Sequence, residues 1–105
     1  MLEYGRDLPQ DRIDAAYAHI KELRETDVPD FILMPTAPQT AFKFGDPVPS
    51  NQADFTAYAN LAERPAIAFP LGKDRRDLPA SAQIVGPRGR EADLVATVRA
   101  FLGAV

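Results

Sequence analysis

Apolar residues fall in short blocks along the chain, and the spacing inside the blocks changes from one to the next. Ile13, Ala16, Tyr17, Ile20 and Leu23 recur at the three-, four- and seven-residue intervals of one helical face. Glu22, Arg24 and Glu25 lie off that stripe. The spacing predicts a first helix with Asp7 as its cap, Pro9 in its first turn and Pro29 as its stop. Phe31-Ile32-Leu33-Met34 follows between Asp30 and Pro35. A run without polar alternation predicts a strand buried on both faces, as in an α/β sheet.

From Pro35 to Asn51 the chain turns rich in Pro, Thr, Gly and Asp, which predicts an ordered loop over one end of the sheet. A short second helix is expected over Asp54 to Ala62, with Asp54 or Gln52 near its start. Ala66-Ile67-Ala68-Phe69, between Pro65 and Pro70, is a second strand. Ala82-Gln83-Ile84-Val85 is a third, reached by a polar turn from Gly72 to Asp77 short enough for an antiparallel hairpin. A last helix runs from Arg90 to Leu102 with Leu94, Val95, Val98, Phe101 and Leu102 on its apolar face. Glu91 and Asp93 complement its N-terminal dipole, and Gly103 is its expected stop.

The order is α-β-α-β-β-α in one α/β domain spanning residues 1–105. Helices are needed on both faces of buried strands, and three of them cover a three-stranded sheet only in part. The pattern suits a slice of a larger α/β protein as well as a complete one. Composition adds one unusual number, ten prolines in 105 residues, about twice average usage. Pro29, Pro35, Pro38, Pro47, Pro49, Pro65, Pro70, Pro79 and Pro87 stand at the edges of the apolar blocks and stiffen the connections.

The formal charge of −3 and the scattered basic residues argue against nucleic acid and against an anionic membrane surface as partners. With no cysteine, disulfides, zinc–thiolate sites and cysteine nucleophiles are excluded. No apolar run reaches membrane-spanning length. The opening MLEYGRDLPQ lacks the apolar core of a signal peptide, so the cytoplasm is the expected compartment.

A search for chemistry finds little. Ser50 and Ser81 sit in no G-x-S-x-G elbow, and the one histidine, His19, belongs to the first helix as a solvated or edge-of-core residue. Metal-ligand spacings are absent, so neither a metal nor a cofactor is expected. Asp74 and Asp77 flank Arg75-Arg76 in what looks like a solvated hairpin tip. Gly86-Pro87-Arg88-Gly89 precedes a helix but lacks a phosphate-cradle pattern, and is taken as a strand-to-helix turn that needs glycine for its geometry.

Three stretches nevertheless resemble the tail of the amidase-signature family, which takes in hydrolases like the A-subunit of glutamyl-tRNA amidotransferase. The first is Asp30-Phe31-Ile32-Leu33-Met34-Pro35-Thr36-Ala37-Pro38, similar to the family's acid, apolar run and Pro-Thr-x-Pro. The second is Asp54-Phe55-Thr56-Ala57-Tyr58-Ala59-Asn60-Leu61-Ala62, then Pro65 to Gly72, similar to its Phe-Thr-x-x-x-Asn-Leu-Ala-Gly-x-Pro-Ala passage. The third is Leu78 to Gly86 with Glu91 and Leu94, similar to its return strand and closing helix. Gly5, Leu8 and Tyr17 fit the helix that precedes the Pro-Thr strand.

The resemblance implies a C-terminal structural portion of an amidase, a hydrolase of carbon–nitrogen amide bonds. The family's serine nucleophile, bridging serine with its cis peptide and lysine base lie upstream of the matched region. No Gly-Gly-Ser-Ser segment is present, and Ser50, Ser81 and the lysines match no catalytic position, so no catalytic residue carries over. Pro35, Thr36, Phe55 and Tyr58 are the implied wall of the substrate pocket. Pro38, Thr56, Asn60, Pro65, Pro70, Gly72, Pro79 and Gly86 are the implied structural motif, with Thr56 and Asn60 able to satisfy backbone groups.

Two departures stand out. Glu63 replaces the usual glycine, at a cost of about 1 kcal/mol if that position needs φ > 0. Ala53 stands where some members carry an amine-binding acid; Asp54 comes one residue later, about 100° further round a helix, so the role is not transferred. The implied partner is the N-terminal catalytic part of an amidase, or a second copy in a homo-oligomer. The alternative is a free-standing, self-associating, non-enzymatic module.

Overall fold

The computed structural model describes residues 7–26 and 30–104. Helix α1 covers Gln10–Glu25 and strand β1 covers Ile32–Pro35. A loop over 36–55 leads to the short helix α2, Thr56–Leu61. Strands β2 (Ala66–Lys73) and β3 (Pro79–Val85) form a hairpin, and helix α3 covers Glu91–Ala104. The predicted element order holds. Both predicted strands of the hairpin are longer than their apolar cores, because pairing continues past Pro70 and Ser81 to Lys73 and Pro79.

The sheet has the order β1-β3-β2 with both pairings antiparallel. Ile32 faces Val85 on one side of β3 and Ala66 faces it on the other. The central position of β3 explains why it alone is buried on both faces from Ala82 to Val85. Successive strand residues point to opposite faces. Ala82 and Ile84 join Phe69, Leu94 and Val98 in the core, with Phe31, Ile67 and Phe101 packed against it. Phe69 and Phe101 meet at 5.3 Å between ring centroids, tilted by 55°, an arrangement favoured by the ring quadrupoles. Gly86 admits the close approach of Phe31 and Leu94, since a Cβ there would lie 3.2 Å from Phe31 Cε1.

Several expectations change. Strand β1 is not buried on both faces: Ile32 and Met34 are half-buried while Leu33 and Pro35 are exposed. α3 packs mainly over β2 and β3, which leaves much of this edge strand exposed. Helix α1 buries no residue, and Ala16 and Tyr17 of its apolar stripe are exposed. Asp7 does not cap it; the Pro9 carbonyl accepts from the N–H groups of Arg12 and Ile13 at 3.1 and 3.2 Å. On α3, Val95 and Leu102 are exposed, and Gly103 lies inside the last turn rather than past it. Gly5 and Pro29 fall outside the described residues.

The ends of α1 and α2 converge, and arginines bind their free carbonyls. Arg88 donates to the carbonyls of Arg24 (2.9 Å), Ala62 (3.0 Å) and Glu63 (3.3 Å). Arg24 donates to Leu61 O at 3.2 Å, and Arg64 to Thr26 O at 3.3 Å. Cations at helix C-termini satisfy orphan carbonyls and complement the macrodipole. Among the described residues these arginines and backbone groups serve that passage, and the side chains of Thr56 and Asn60 make no hydrogen bond.

The resulting body is a slab measuring 48 × 40 × 14 Å. Its radius of gyration is 16.6 Å, against about 13 Å for a compact domain of this length. Its accessible surface is 8025 Å², roughly 2,200 Å² above the ~5,800 Å² that surface scaling gives for a folded monomer of this mass.

Glu63 has φ = 56°, so the residue in the glycine's place carries left-handed strain. Glu63→Gly is expected to raise stability by about 0.5–1 kcal/mol, the strain relieved less the extra unfolded entropy of glycine. Glu63→Val should lower it by about 1 kcal/mol or more. Denaturant titration of both variants checks this, and a destabilised Glu63→Gly contradicts it.

Candidate functional site

The loop after β1 is held over the end of the hairpin by a small set of polar contacts. Thr36 N–H donates to Ser81 O at 3.2 Å, which continues the β1–β3 pairing by one step. Gln39 Nε2 donates to Gln52 Oε1 at 2.6 Å and closes the loop on itself. Thr40 Oγ1 donates to Asp74 Oδ2 at 2.6 Å, and Arg76 donates to Thr40 Oγ1 at 3.1 Å.

Asp74 organises the hairpin tip rather than merely being solvated there. Its Oδ1 also accepts from the N–H groups of Arg76 (2.8 Å) and Leu78 (3.0 Å). The Thr40 hydroxyl and then the Leu78 amide hold its carboxyl below the usual carboxylate range. Asp77, at φ = 65°, supplies the left-handed turn residue, a conformation aspartate tolerates. The Lys73–Asp77 pair at 3.4 Å is exposed and contributes little.

Between this loop and the start of β3 lies a cleft of about 270 Å³. Pro35, Ala37 and Pro38 form one wall and Pro79, Ala80 and Ser81 the other, with Gln39, Thr40 and Ala41 at the loop side. Of the four predicted pocket-wall residues, Pro35 lines this cleft. Thr36 sits at its edge, and its Oγ1 is enclosed without a hydrogen-bond partner. An enclosed hydroxyl left unpaired is costly. Phe55 and Tyr58 stand elsewhere, half-buried at and within α2. Of the motif residues, Pro38 and Pro79 line the cleft, Pro65 O accepts Gly86 N–H at 2.8 Å, and Pro70 and Gly72 flank the register shift in β2.

Sequence reasoning missed the residue that joins these parts. Gln83 is 4% exposed. Its Nε2 donates to Phe55 O at 3.1 Å and to Pro35 O at 3.4 Å. The signal was an amide in an otherwise apolar strand core, Ala82-Gln83-Ile84-Val85. His19, Ser50 and Ser81 are all exposed and lie on different elements. Among the described residues no group of three or more His, Cys, Asp or Glu side chains is placed to hold a metal ion, and no helix is long and apolar enough to cross a membrane.

The amidase family model matches residues 6–95, and the chain belongs to the amidase family. It is 43% identical to the glutamyl-tRNA(Gln) amidotransferase A-subunit of Campylobacter concisus over 86 residues, 76% of this chain and 19% of that protein. It is 43% identical to the corresponding protein of Halothermothrix orenii over 72 residues, 65% of this chain and 15% of that protein. With the A-subunit of Legionella pneumophila the identity is 39% over 97 residues, 79% of this chain and 20% of that protein. The chain therefore spans no more than about a fifth of the length of these relatives. No solved structure matches it significantly.

Two outcomes test the site. Gln83→Leu should cost about 1 kcal/mol by leaving partly buried carbonyls of the loop and α2 without their donor, read by thermal or denaturant unfolding. Because the folded carboxyl of Asp74 titrates below its unfolded value, its stabilisation is fully present above that unfolded value, near pH 4. It is lost as pH falls through the lower folded value. Asp74→Asn should flatten the stability profile in that acidic window and leave its shape at neutral pH unchanged; an unchanged acid limb contradicts this.

Proposed function

We propose that this chain is the C-terminal structural portion of an amidase, supplying sheet strands and part of a substrate-pocket wall to an upstream catalytic portion, and not catalytic by itself. The observation that carries this is the surplus surface. A slab with roughly 2,200 Å² of accessible area beyond that of a compact monomer has room for one side of an obligate interface, to which each partner contributes about 1,000 Å² or more. In this reading the upstream portion of an amidase covers it. The sequence contributes no Gly-Gly-Ser-Ser segment, and among the described residues no side-chain base is hydrogen-bonded to Ser81, the serine at the cleft.

In this reading the partner is the N-terminal catalytic part of an amidase, in the cytoplasm, with neither nucleic acid nor membrane engaged. Pro35 and Thr36 approach the substrate from the loop, and Phe55 and Tyr58 from α2, linked to that loop through Gln83. The reaction served would be hydrolysis of a carbon–nitrogen amide bond.

The purified chain should turn over none of a panel of simple aryl and alkyl amides. It should co-purify with the upstream four-fifths of a related amidotransferase A-subunit that lacks its own matching segment. Turnover by the isolated chain, abolished by a serine-directed inhibitor, would sink the proposal, as would failure to associate.

A further inference from the structure

Strand β2 lies at one side of the sheet, with β3 as its single neighbour. Its pairing decides which of its backbone groups stay open. Gly86 N–H donates to Pro65 O at 2.8 Å, and the same register sets Ile67 against Ile84 and Phe69 against Ala82. In an antiparallel pair, residues alternate between bonding the partner strand and facing away from it. Pro65, Ile67 and Phe69 therefore face β3. The N–H and C=O groups of Ala66 and Ala68 point outward, where no strand among the described residues meets them.

The opposite edge of the sheet is guarded. Thr36 N–H bonds Ser81 O, so the outward residues of β1 are Leu33 and Pro35. That strand has four residues, Pro35 has no N–H, and Pro35 O accepts from Gln83. Short length and proline are common means of keeping an edge from pairing. On β2 such devices stand only at the far end, in Pro70, the register shift between Pro70 and Gly72, and Lys73. The near half, Ala66-Ile67-Ala68-Phe69, has no charge, no proline and no shift.

This half is also held in place. Phe69 is buried in the core with Leu94 and Val98 of α3, and Ile67 packs against them. On the other face the exposed methyls of Ala66 and Ala68 present no bulk to a strand running about 4.8 Å away. A fixed, open ladder costs little entropy to extend. It fits one kind of ligand, another extended backbone.

We propose that the outer edge of β2 at Ala66–Phe69 pairs with an extended segment of the upstream catalytic portion, so that the sheet continues across the junction. The partner's identity rests on the amidase reading; the seam itself goes beyond that reading. This chain spans no more than about a fifth of the length of its relatives, and the segment comes from the remainder. The contact is made by backbone groups, so association depends on the N–H of Ala68 more than on its side chain.

Ala68→Pro removes one outward N–H and leaves the bonds to β3 in place, because an edge strand accepts proline where its nitrogen faces away. The test titrates the full chain against the upstream four-fifths of a related amidotransferase A-subunit that lacks its own matching segment. Ala68→Pro should bind about tenfold or more weakly than the unaltered chain, the scale of one lost ladder bond. Ala68→Val, which keeps the N–H and suits a strand, should weaken binding far less. Circular dichroism checks that both variants fold. Amide hydrogen exchange on the unaltered chain needs no variant. In the free chain Ala66 and Ala68 should exchange faster than Ile67 and Phe69, and in the complex all four should be protected.

Undiminished binding by Ala68→Pro, or Ala66 and Ala68 amides that stay fast in the complex, overturns the seam and leaves the amidase reading standing. Failure of the unaltered chain to bind overturns both. A homodimer in light scattering that Ala68→Pro dissociates shows the edge pairing with a second copy instead, and overturns the choice of occupant.

Discussion

Gln83 carries the one polar contact on which the arrangement of loop, sheet and second helix depends. β3 is the only strand with neighbours on both sides, so whatever its residues touch is fixed relative to the whole sheet. On one face Ala82 and Ile84 hold α3 through the apolar core. On the other, a single amide reaches the carbonyl that ends β1 and the carbonyl that opens α2. An apolar residue there would pack but would leave two partly buried acceptors without this donor, and the desolvation of unmade hydrogen bonds outweighs the modest net value of made ones. The Pro-Thr loop thereby inherits its position from the sheet although it is joined to it covalently at one end only.

A second set of contacts does for the helices what Gln83 does for the loop. Arg88, in the turn between β3 and α3, gathers carbonyls from the ends of α1 and α2. It compensates for weak packing, since α1 buries no residue and α2 is a turn and a half long. A helix without a buried face takes little stability from the hydrophobic effect. Its placement here rests on charge-assisted hydrogen bonds, which are directional and stronger than neutral ones.

The elements were legible in the sequence because their signals are local. Helical spacing, apolar runs and proline punctuation placed all six in order, and the hairpin followed from the short polar turn. The strain at Glu63 was legible too, because the family pattern has glycine there and the backbone adopts φ = 56°. Burial was not. The apolar run at β1 and the stripe on α1 look core-facing, yet Leu33 and Tyr17 are exposed at 54% and 69%. Apolar patterning records that a surface is to be buried, and does not record whether the covering element belongs to the same 105 residues. The longest contacts of Gln83, Asp74 and Arg88 reach partners 34 to 64 residues away in sequence, and no periodicity reports such contacts.

That mismatch between pattern and burial constrains the biology more than any single residue does. Ala16 and Tyr17 of the α1 stripe, Val95 and Leu102 of α3 and Leu33 of β1 are apolar although nothing among the described residues buries them. Isolated exposed apolar residues are ordinary, but here they accompany a body 14 Å thick with a surface far above the scaling expectation. A layered domain needs a second layer on each hydrophobic face. Part of one face is supplied here by α3, and the opposite face only by a six-residue helix. In the proposed reading the remaining cover comes from outside the slab, and any account of this chain's activity begins with what provides it.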